Sequence, residues 1–175
     1  MTFLVLSDIH GRRDLAEEAL RRHKNADGVL FLGDGIRDLS LSACREGGRL
    51  FAGVRGNCDW FSASQSEYFY SEELLLRLDE YTVMMMHGHT RNVKSGIDCA
   101  VRAAAERGAD VLLYGHTHEA EERYLPEGYD ADGLILRRPM WVMNPGSLGA
   151  PRDGRHSYGL LQIRNGRILL SIGAL

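Results

Sequence analysis

Phe3-Leu4-Val5-Leu6-Ser7-Asp8-Ile9-His10-Gly11 lies at the start of the chain: an apolar run that ends on a carboxylate and an imidazole beside a glycine. The same order recurs four times. Val29-Leu30-Phe31-Leu32 runs into Gly33-Asp34, and Phe51-Ala52-Gly53-Val54 into Arg55-Gly56-Asn57-Cys58-Asp59. Val83-Met84-Met85-Met86 runs into His87-Gly88-His89, and Val111-Leu112-Leu113-Tyr114 into Gly115-His116-Thr117-His118. Short unbroken apolar runs read as strands buried on both faces, which predicts strands over 2–6, 28–32, 50–54, 82–86 and 110–114. In open α/β sheets the carboxyl ends of the strands are where ligands bind. Each predicted strand delivers a carboxylate, amide or imidazole to that edge.

Helical periodicity fills the gaps. Over 14–24, Leu15, Ala16, Ala19 and Leu20 share one face, and Glu17 and Glu18 precede Arg21 and Arg22 by four residues on the other. A second helix is expected over 37–46, ending at Gly47-Gly48, and a third over 96–107, stopped by Gly108. The last third has strands without intervening helices, over 134–143, 157–164 and 167–172. Asn165-Gly166 forms a two-residue hairpin turn between the last two. A further hairpin joins 74–78 to 81–86 through Asp79-Glu80. The alternation implies an α/β sandwich with helices outside the sheet. No linker, repeat or low-complexity tract divides the chain, so residues 1–175 read as one mixed α/β domain.

Composition limits the functional classes. The 175 residues are 44% hydrophobic and 26% charged, unlike a disordered chain. Twenty-one Lys+Arg against twenty-four Asp+Glu leave a net charge of −3, which provides no basic field for dedicated nucleic-acid binding. No apolar run approaches the roughly 18 residues of a membrane span, and Asp8 and His10 interrupt the first run before a signal-peptide core forms. Cys44, Cys58 and Cys99 are odd in number and scattered, which argues against a disulfide framework and for a reducing cytoplasm.

The residue types at the strand ends suit divalent ions such as Mn²⁺, Fe²⁺, Co²⁺, Ni²⁺ and Zn²⁺. Asp8-x-His10 and His116-x-His118 place side chains two apart, on one side of an extended backbone, so each pair is expected to approach a common centre. Asp8, His10, Asp34, Asn57, His87, His116 and His118 are too many ligands for one tetrahedral ion. Two ions sharing a carboxylate account for the surplus. Asp38 and Asp59 are expected to orient the loops beside them. His23 reads as solvated on the first helix, and His156 as part of a polar loop. Cys44 and Cys99 read as buried helix residues, and Arg12, Arg13, Arg137 and Arg138 as surface charge. Trp60-Phe61 and Tyr68-Phe69-Tyr70 read as a local apolar cluster, an oligomer contact or a cleft wall. The segment 119–140 contains Pro126-Glu127-Gly128-Tyr129-Asp130-Ala131-Asp132-Gly133. That stretch reads as an exposed loop joining two strands, whose tip either overhangs or borders the cleft or projects away from it.

As a set, Asp8-x-His10, Gly33-Asp34-x-x-Asp38, Gly56-Asn57-Cys58-Asp59, His87-Gly88-His89 and Gly115-His116-x-His118 resemble the calcineurin-like metallophosphoesterases. Val54-Arg55, Arg91-Asn92-Val93-Lys94, Asn144-Pro145-Gly146-Ser147, Pro151-Arg152 and Ser157-Tyr158 extend the match over almost the whole chain. The nearest branch is the small bacterial and archaeal phosphodiesterases, related also to the retromer subunit Vps29. The resemblance implies a two-sheet sandwich flanked by helices, with a dimetal site at the strand ends. It implies Asp8, His10 and His118 on one ion, Asn57, His87 and His116 on the other, and Asp34 between them, with manganese first among the candidate metals. The implied reaction is hydrolysis of a small phosphodiester by a metal-bridging hydroxide. A phosphomonoesterase, a nucleotide pyrophosphatase and a catalytically silent interaction module like Vps29 are the alternatives, and self-association is a further expectation. Many relatives carry His where this chain has Cys58. A thiol of pKa about 8.5 is a poor stand-in for imidazolium, which leaves His89 as an alternative proton donor to the leaving group.

Overall fold

The structure, a computed structural model, describes residues 1–60 and 70–175. Strand β1 (Thr2–Leu6) sends Phe3 and Val5 to one face and Leu4 and Leu6 to the other, and all four are buried. Buried residues on both faces of a strand require a layer on each side. Phe3 and Val5 pack against Val83 and Met85 of β5 (Tyr81–Met86) and Val111 and Leu113 of β6 (Val111–Tyr114), which belong to a second sheet. Leu4 and Leu6 pack with Ala16, Ala19 and Leu20 of helix α1 (Arg13–Arg22). On the far side, Met84, Met86 and Leu112 pack with Ala100, Val101 and Ala104 of a helix over Asp98–Glu106. The order of layers is therefore helix, sheet, sheet, helix.

The first sheet holds β1, β2 (Gly28–Phe31) and β3 (Leu50–Gly53) in parallel, extended antiparallel by β11 (Ser157–Arg164) and β12 (Arg167–Ala174), in the order β12-β11-β1-β2-β3. The second has the order β4-β5-β6-β10-β7, with β5, β6 and β10 (Met140–Pro145) parallel. Its edges are β4 (Glu73–Leu78) and β7 (Ala120–Leu125), each antiparallel to its neighbour. A two-stranded hairpin, β8 (Asp130–Ala131) and β9 (Leu134–Ile135), stands apart. The expected two-sheet sandwich is the observed architecture. Asn165 and Gly166 both take positive φ, which their hairpin turn requires.

Two local expectations are corrected. The helix expected over 37–46 is a 3₁₀ turn (Ile36–Asp38) followed by α2 (Leu41–Cys44), with Leu39 extended between them. Gly35 N–H and Ile36 N–H are held by the Asp59 carboxylate, so a fixed loop displaces the first helical turn. The strand expected over 134–143 breaks into β9 and β10, since Pro139 has no N–H to give a ladder and Arg138 turns out to pair with Asp110 at 3.2 Å. The segment 119–140 contains β7, whose run Glu121-Glu122-Arg123 is the charged sequence of a protected edge strand. Its tip packs on the second helix layer, with Tyr129 sharing a cavity wall with Thr117. Ala131 and Leu136 are buried against the helix over Asp98–Glu106, here α3, and Tyr129 hydrogen-bonds Asp98 at 2.7 Å.

Two single residues also differ. Cys99 is exposed, whereas Cys44 is buried as expected. His23 is not simply solvated: its ring meets Tyr158 edge-on at 4.8 Å, and its Nε2 is buried without a hydrogen-bond partner. Of the aromatic stretch, residues 61–69 lie outside the described residues, and Tyr70 packs edge-on to Phe51. No helix among the described residues is long and apolar enough to cross a membrane.

Candidate metal centre

Parallel strands β1, β2, β3, β5 and β6 end on one rim, and the loops leaving them carry Asp8, Asp34, Asn57, His87 and His116. The backbone there is unusual. Nine non-glycine residues take positive φ among those described, and five of them are Asp8, His10, Asp34, His116 and His118. Such conformations cost about 1–3 kcal/mol each and persist only where the surroundings over-determine them. The pairs therefore do not converge through strand alternation, as the two-residue spacing had implied. Asp8 and His10 meet through left-handed turns, whereas His116 and His118 diverge into different donor groups.

One group is Asp8, His10 and His118; a second is Asp34, His87 and His116; a third joins His10, Asp34 and Cys58. Within each, donor atoms lie within 4.8 Å of one another. Asn57 Oδ1 adds to the second, 3.2 Å from His87 Nε2. Asp34 Oδ2 faces both sides, 3.3 Å from His87 Nε2 and 3.9 Å from His10 Nε2. All seven sequence-derived ligands are thus brought together. Gly56 makes the approach possible, because a Cβ there would fall 2.0 Å from Asp34 Oδ1.

Hydrogen bonding fixes what the imidazoles offer. His118 Nδ1 lies 2.7 Å from the Ala150 carbonyl, and His87 Nδ1 lies 2.8 Å from the Leu32 carbonyl. A carbonyl oxygen only accepts, so in both rings Nδ1 donates and the neutral ring presents a bare lone pair at Nε2. Those lone pairs point at acceptors: His118 Nε2 lies 3.1 Å from Asp8 Oδ1, and His87 Nε2 faces Asp34 Oδ2 and Asn57 Oδ1. Asp8 is fully buried and its Oδ1 has no hydrogen-bond partner. Opposed lone pairs require something positive between them. A cation bound by carboxylate, imidazole and amide donors satisfies every atom, so the residues present fit a metal.

The titration behaviour has the same origin. Burial would raise Asp8, but the neighbouring His10 and His118 imidazoles overcome it and hold the carboxyl far below the usual range. Burial likewise opposes protonation of His87, yet the Asp34 carboxylate raises its pKa on balance. The nearby Asp8 carboxylate raises His118. Burial, then the neighbouring His87, pushes His116 down to about 4.

Asp59 organises the rim without joining a donor group. Its carboxylate accepts from Asp34 N–H (2.7 Å), Gly35 N–H (2.8 Å), Ile36 N–H (3.1 Å) and Gly56 N–H (2.9 Å). Asp38 accepts from Gly11 N–H at 2.8 Å. Four buried or half-buried donors on one carboxylate predict that Asp59→Ala costs about 3 kcal/mol of stability, read from urea unfolding with unchanged m-value. A loss below about 1 kcal/mol would show that water replaces the carboxylate there.

The last loop on the rim was legible only in part. Ser147 Oγ donates to Asp8 O, Gly149 N–H also donates to Asp8 O, and Asn144 Nδ2 donates to Gly115 O and Thr117 Oγ1. Asn144 and Ser147 therefore hold the loops bearing Asp8, His116 and His118. Ser7, also unanticipated, donates to Asp8 Oδ2. His156 props this loop from behind, with Nδ1 donating to Leu148 O at 2.7 Å. His89 joins none of the three donor groups. Its Nε2 lies 4.0 Å from Glu72, and its ring stands 5.4 Å from that of His87. Cys58 is exposed, and its N–H donates to Asp34 Oδ1 at 2.7 Å. Desolvation of the sulfur, then the Asp34 carboxylate, push its thiol up to about 11.

Comparison with known proteins is consistent with this geometry. The family model for the calcineurin-like phosphoesterase superfamily domain matches residues 1–166. Probable metallophosphoesterase YsnB of Bacillus subtilis is 29% identical over 167 residues, spanning 94% of this chain and 86% of its own. Phosphodiesterase YfcE of Escherichia coli K12 is 28% identical over 181 residues, spanning 92% of this chain and 87% of its own. The crystal structure of Chaetomium thermophilum Vps29 superposes with a TM-score of 0.70 at 16% identity, covering 100% of this chain and 95% of that one, a likeness of fold alone.

Proposed function

The chain belongs to the calcineurin-like phosphoesterase superfamily, and from that premise we propose that it is a dimetal phosphodiesterase acting on small diesters. The observation that carries this reading is Asp34 Oδ2, which faces His10 on one side and His87 on the other. One carboxylate oxygen between two imidazole sets is the arrangement that two ions need. Asp8, His10 and His118 would hold the first, Asn57, His87 and His116 the second, with Asp34 shared. Manganese is the first choice for donors of this mixed oxygen and nitrogen character. Bound there, two divalent ions supply charge that polarises a phosphoryl oxygen and acidifies water.

The protein's own residues do the rest. Ala150 O and Leu32 O fix the tautomers of His118 and His87, so both present Nε2 lone pairs to the rim. Asp59 and Ser147 hold the loops of Asp34 and Asp8, so the donors are placed before substrate arrives. Cys58 and Asn57, both exposed, stand at the open side where phosphorus would be approached. A silent Vps29-like role needs the fold alone, whereas here every donor position carries a competent group.

Cys58 bears on the substrate class. A thiol is a poorer proton donor than an imidazolium near neutrality, so leaving alcohols receive little help from Cys58. The enzyme is expected to favour diesters over monoesters of one aryl alcohol, and good leaving groups over poor ones. Cys58→His is expected to raise turnover of poor-leaving-group diesters by roughly tenfold or more, with little gain on p-nitrophenyl diesters. A panel of aryl and alkyl diesters and monoesters tests both points. Equal gains across the panel place the proton donor elsewhere, with His89 next in line, and a preference for monoesters overturns the diesterase reading.

A further inference from the structure

A cavity of about 350 Å³ lies against the donor groups themselves. His10, of the first group, and Cys58, of the third, are part of its wall, so whatever fills it stands beside those donors. Trp60 is another part, and it is 80% exposed. An indole left in water forfeits the burial by which large aromatic side chains stabilise a fold. This one is nevertheless anchored. Trp60 N–H donates to Cys58 O at 3.1 Å, and Arg37 Nη2 donates to Trp60 O at 2.7 Å. The backbone under the indole is thus tied to the donor loop on one side and to the 3₁₀ turn Ile36–Asp38 on the other. The charged groups of the wall, among the described residues, are the Arg37 guanidinium and the carboxylates of Asp38 and Asp59. Asp59 already accepts from four backbone N–H groups, and Asp38 from Gly11 N–H. No surplus of positive charge calls for a further anion there.

We propose that this cavity receives one ester arm of the substrate and that the arm is a neutral planar aromatic group, an aryl ring or a nucleobase, stacked on Trp60. The inference rests on the phosphodiesterase reading and narrows its substrate class. The diester's single negative charge stays at phosphorus, against the donor groups, and the arm needs none. About 350 Å³ is at the small end of ligand sites, room for one ring system. An aliphatic arm would gain burial alone, whereas a flat arm also gains the face of the indole. Trp60 is then a specificity-determining residue, two positions beyond Cys58 and outside the three donor groups.

The test uses the Mn²⁺-loaded protein and the monomethyl esters of cyclohexylmethyl-, benzyl- and (thymin-1-yl)methylphosphonic acid. Each is a singly charged diester analogue whose variable arm is joined to phosphorus through carbon and is not cleaved. By calorimetry, wild-type protein is expected to bind the better of the two flat arms roughly tenfold more tightly than the cyclohexyl arm. Which flat arm binds tighter distinguishes an aryl from a nucleobase substrate. That arm is also expected to quench indole emission. Trp60→Leu, which keeps apolar bulk and leaves Trp141 as the remaining tryptophan, is expected to lose both the preference and the quenching, and Trp60→Phe to retain most of the preference. Equal affinities for the three arms in the wild type, or no measurable binding of either flat arm, overturn the proposal. So does a Trp60→Leu protein that weakens all three alike, or none. Sedimentation showing that Trp60→Leu dissolves a dimer would make the indole a contact between copies and overturn it as well. If bis(p-nitrophenyl) phosphate is not turned over but Trp60 still discriminates the analogues, the diesterase reading falls and the cavity assignment stands.

Discussion

Stripped of divalent ions by a chelator and desalted, the protein is expected to lose at least roughly a thousandfold of its activity on bis(p-nitrophenyl) phosphate, and to regain it with Mn²⁺. The reason lies in the inventory of side chains at the rim. Ser7 gives its hydroxyl proton to the Asp8 carboxylate but is fully buried, out of reach of phosphorus. Cys58 stays protonated at neutral pH. Water is then the nucleophile, and free water has a pKa of 15.7, against about 7 when bound to a metal in favourable sites. The imidazoles cannot substitute as general bases. His87 is buried with its Nδ1 proton committed to Leu32 O, and His116 is pushed down to about 4, a weak base near neutrality. Folding is expected to survive stripping, because the strand ends are held by Asp59, Asn144 and Ser147 rather than by the ligands. Circular dichroism should therefore change little while activity disappears. Full activity in the stripped protein would falsify the metal-dependent mechanism.

The sequence displayed the site more completely than the fold around it. Apolar runs ending in Asp8, Asp34, Asn57, His87 and His116 were readable because buried parallel strands need no polar face, so each run stands out and each polar residue after it is exceptional. Elements set by tertiary contacts were not readable. The interrupted helix after Asp34 follows from Asp59 capturing Gly35 and Ile36, a bond between positions more than twenty residues apart. Strand β7 hides behind a charged run that resembles a loop, since its pairing with β10 is one-sided at the sheet edge. The tip of 119–140 was left open because its Pro, Gly and acidic residues outweighed Tyr129, Leu134 and Leu136, the apolar residues that seat it on the second helix layer. The left-handed backbone at five ligand positions carried only a weak sequence signal, since Asp and His visit positive φ more often than most residues but far less predictably than glycine. That backbone separates His116 from His118, where even spacing had suggested a shared centre.

Replacing Asp34 by Asn is expected to reduce kcat/KM by roughly a thousandfold, against about a hundredfold or less for His118→Ala, which removes a donor from one group alone. The two Asp34 oxygens have different duties. Oδ1 accepts from Cys58 N–H at 2.7 Å, a bond that an asparagine carbonyl reproduces. The amide nitrogen then occupies the position of Oδ2, facing His87 Nε2 and His10 Nε2. On the two-ion reading, an acceptor shared by both sites becomes a donor aimed at lone pairs. The exchange is nearly isosteric, so the loop and the fold persist, and the new N–H groups satisfy imidazoles that the metal-free wild type leaves facing a carboxylate. Metal-free Asp34→Asn is therefore expected to melt at or above the metal-free wild type, the usual relation between a functional site and stability. Metal analysis after dialysis against Mn²⁺ should find fewer ions per chain in Asp34→Asn than in the wild type, and His118→Ala should retain more than Asp34→Asn. A variant that keeps the wild-type metal content and loses less than about tenfold in activity would show that Asp34 is not shared between ions.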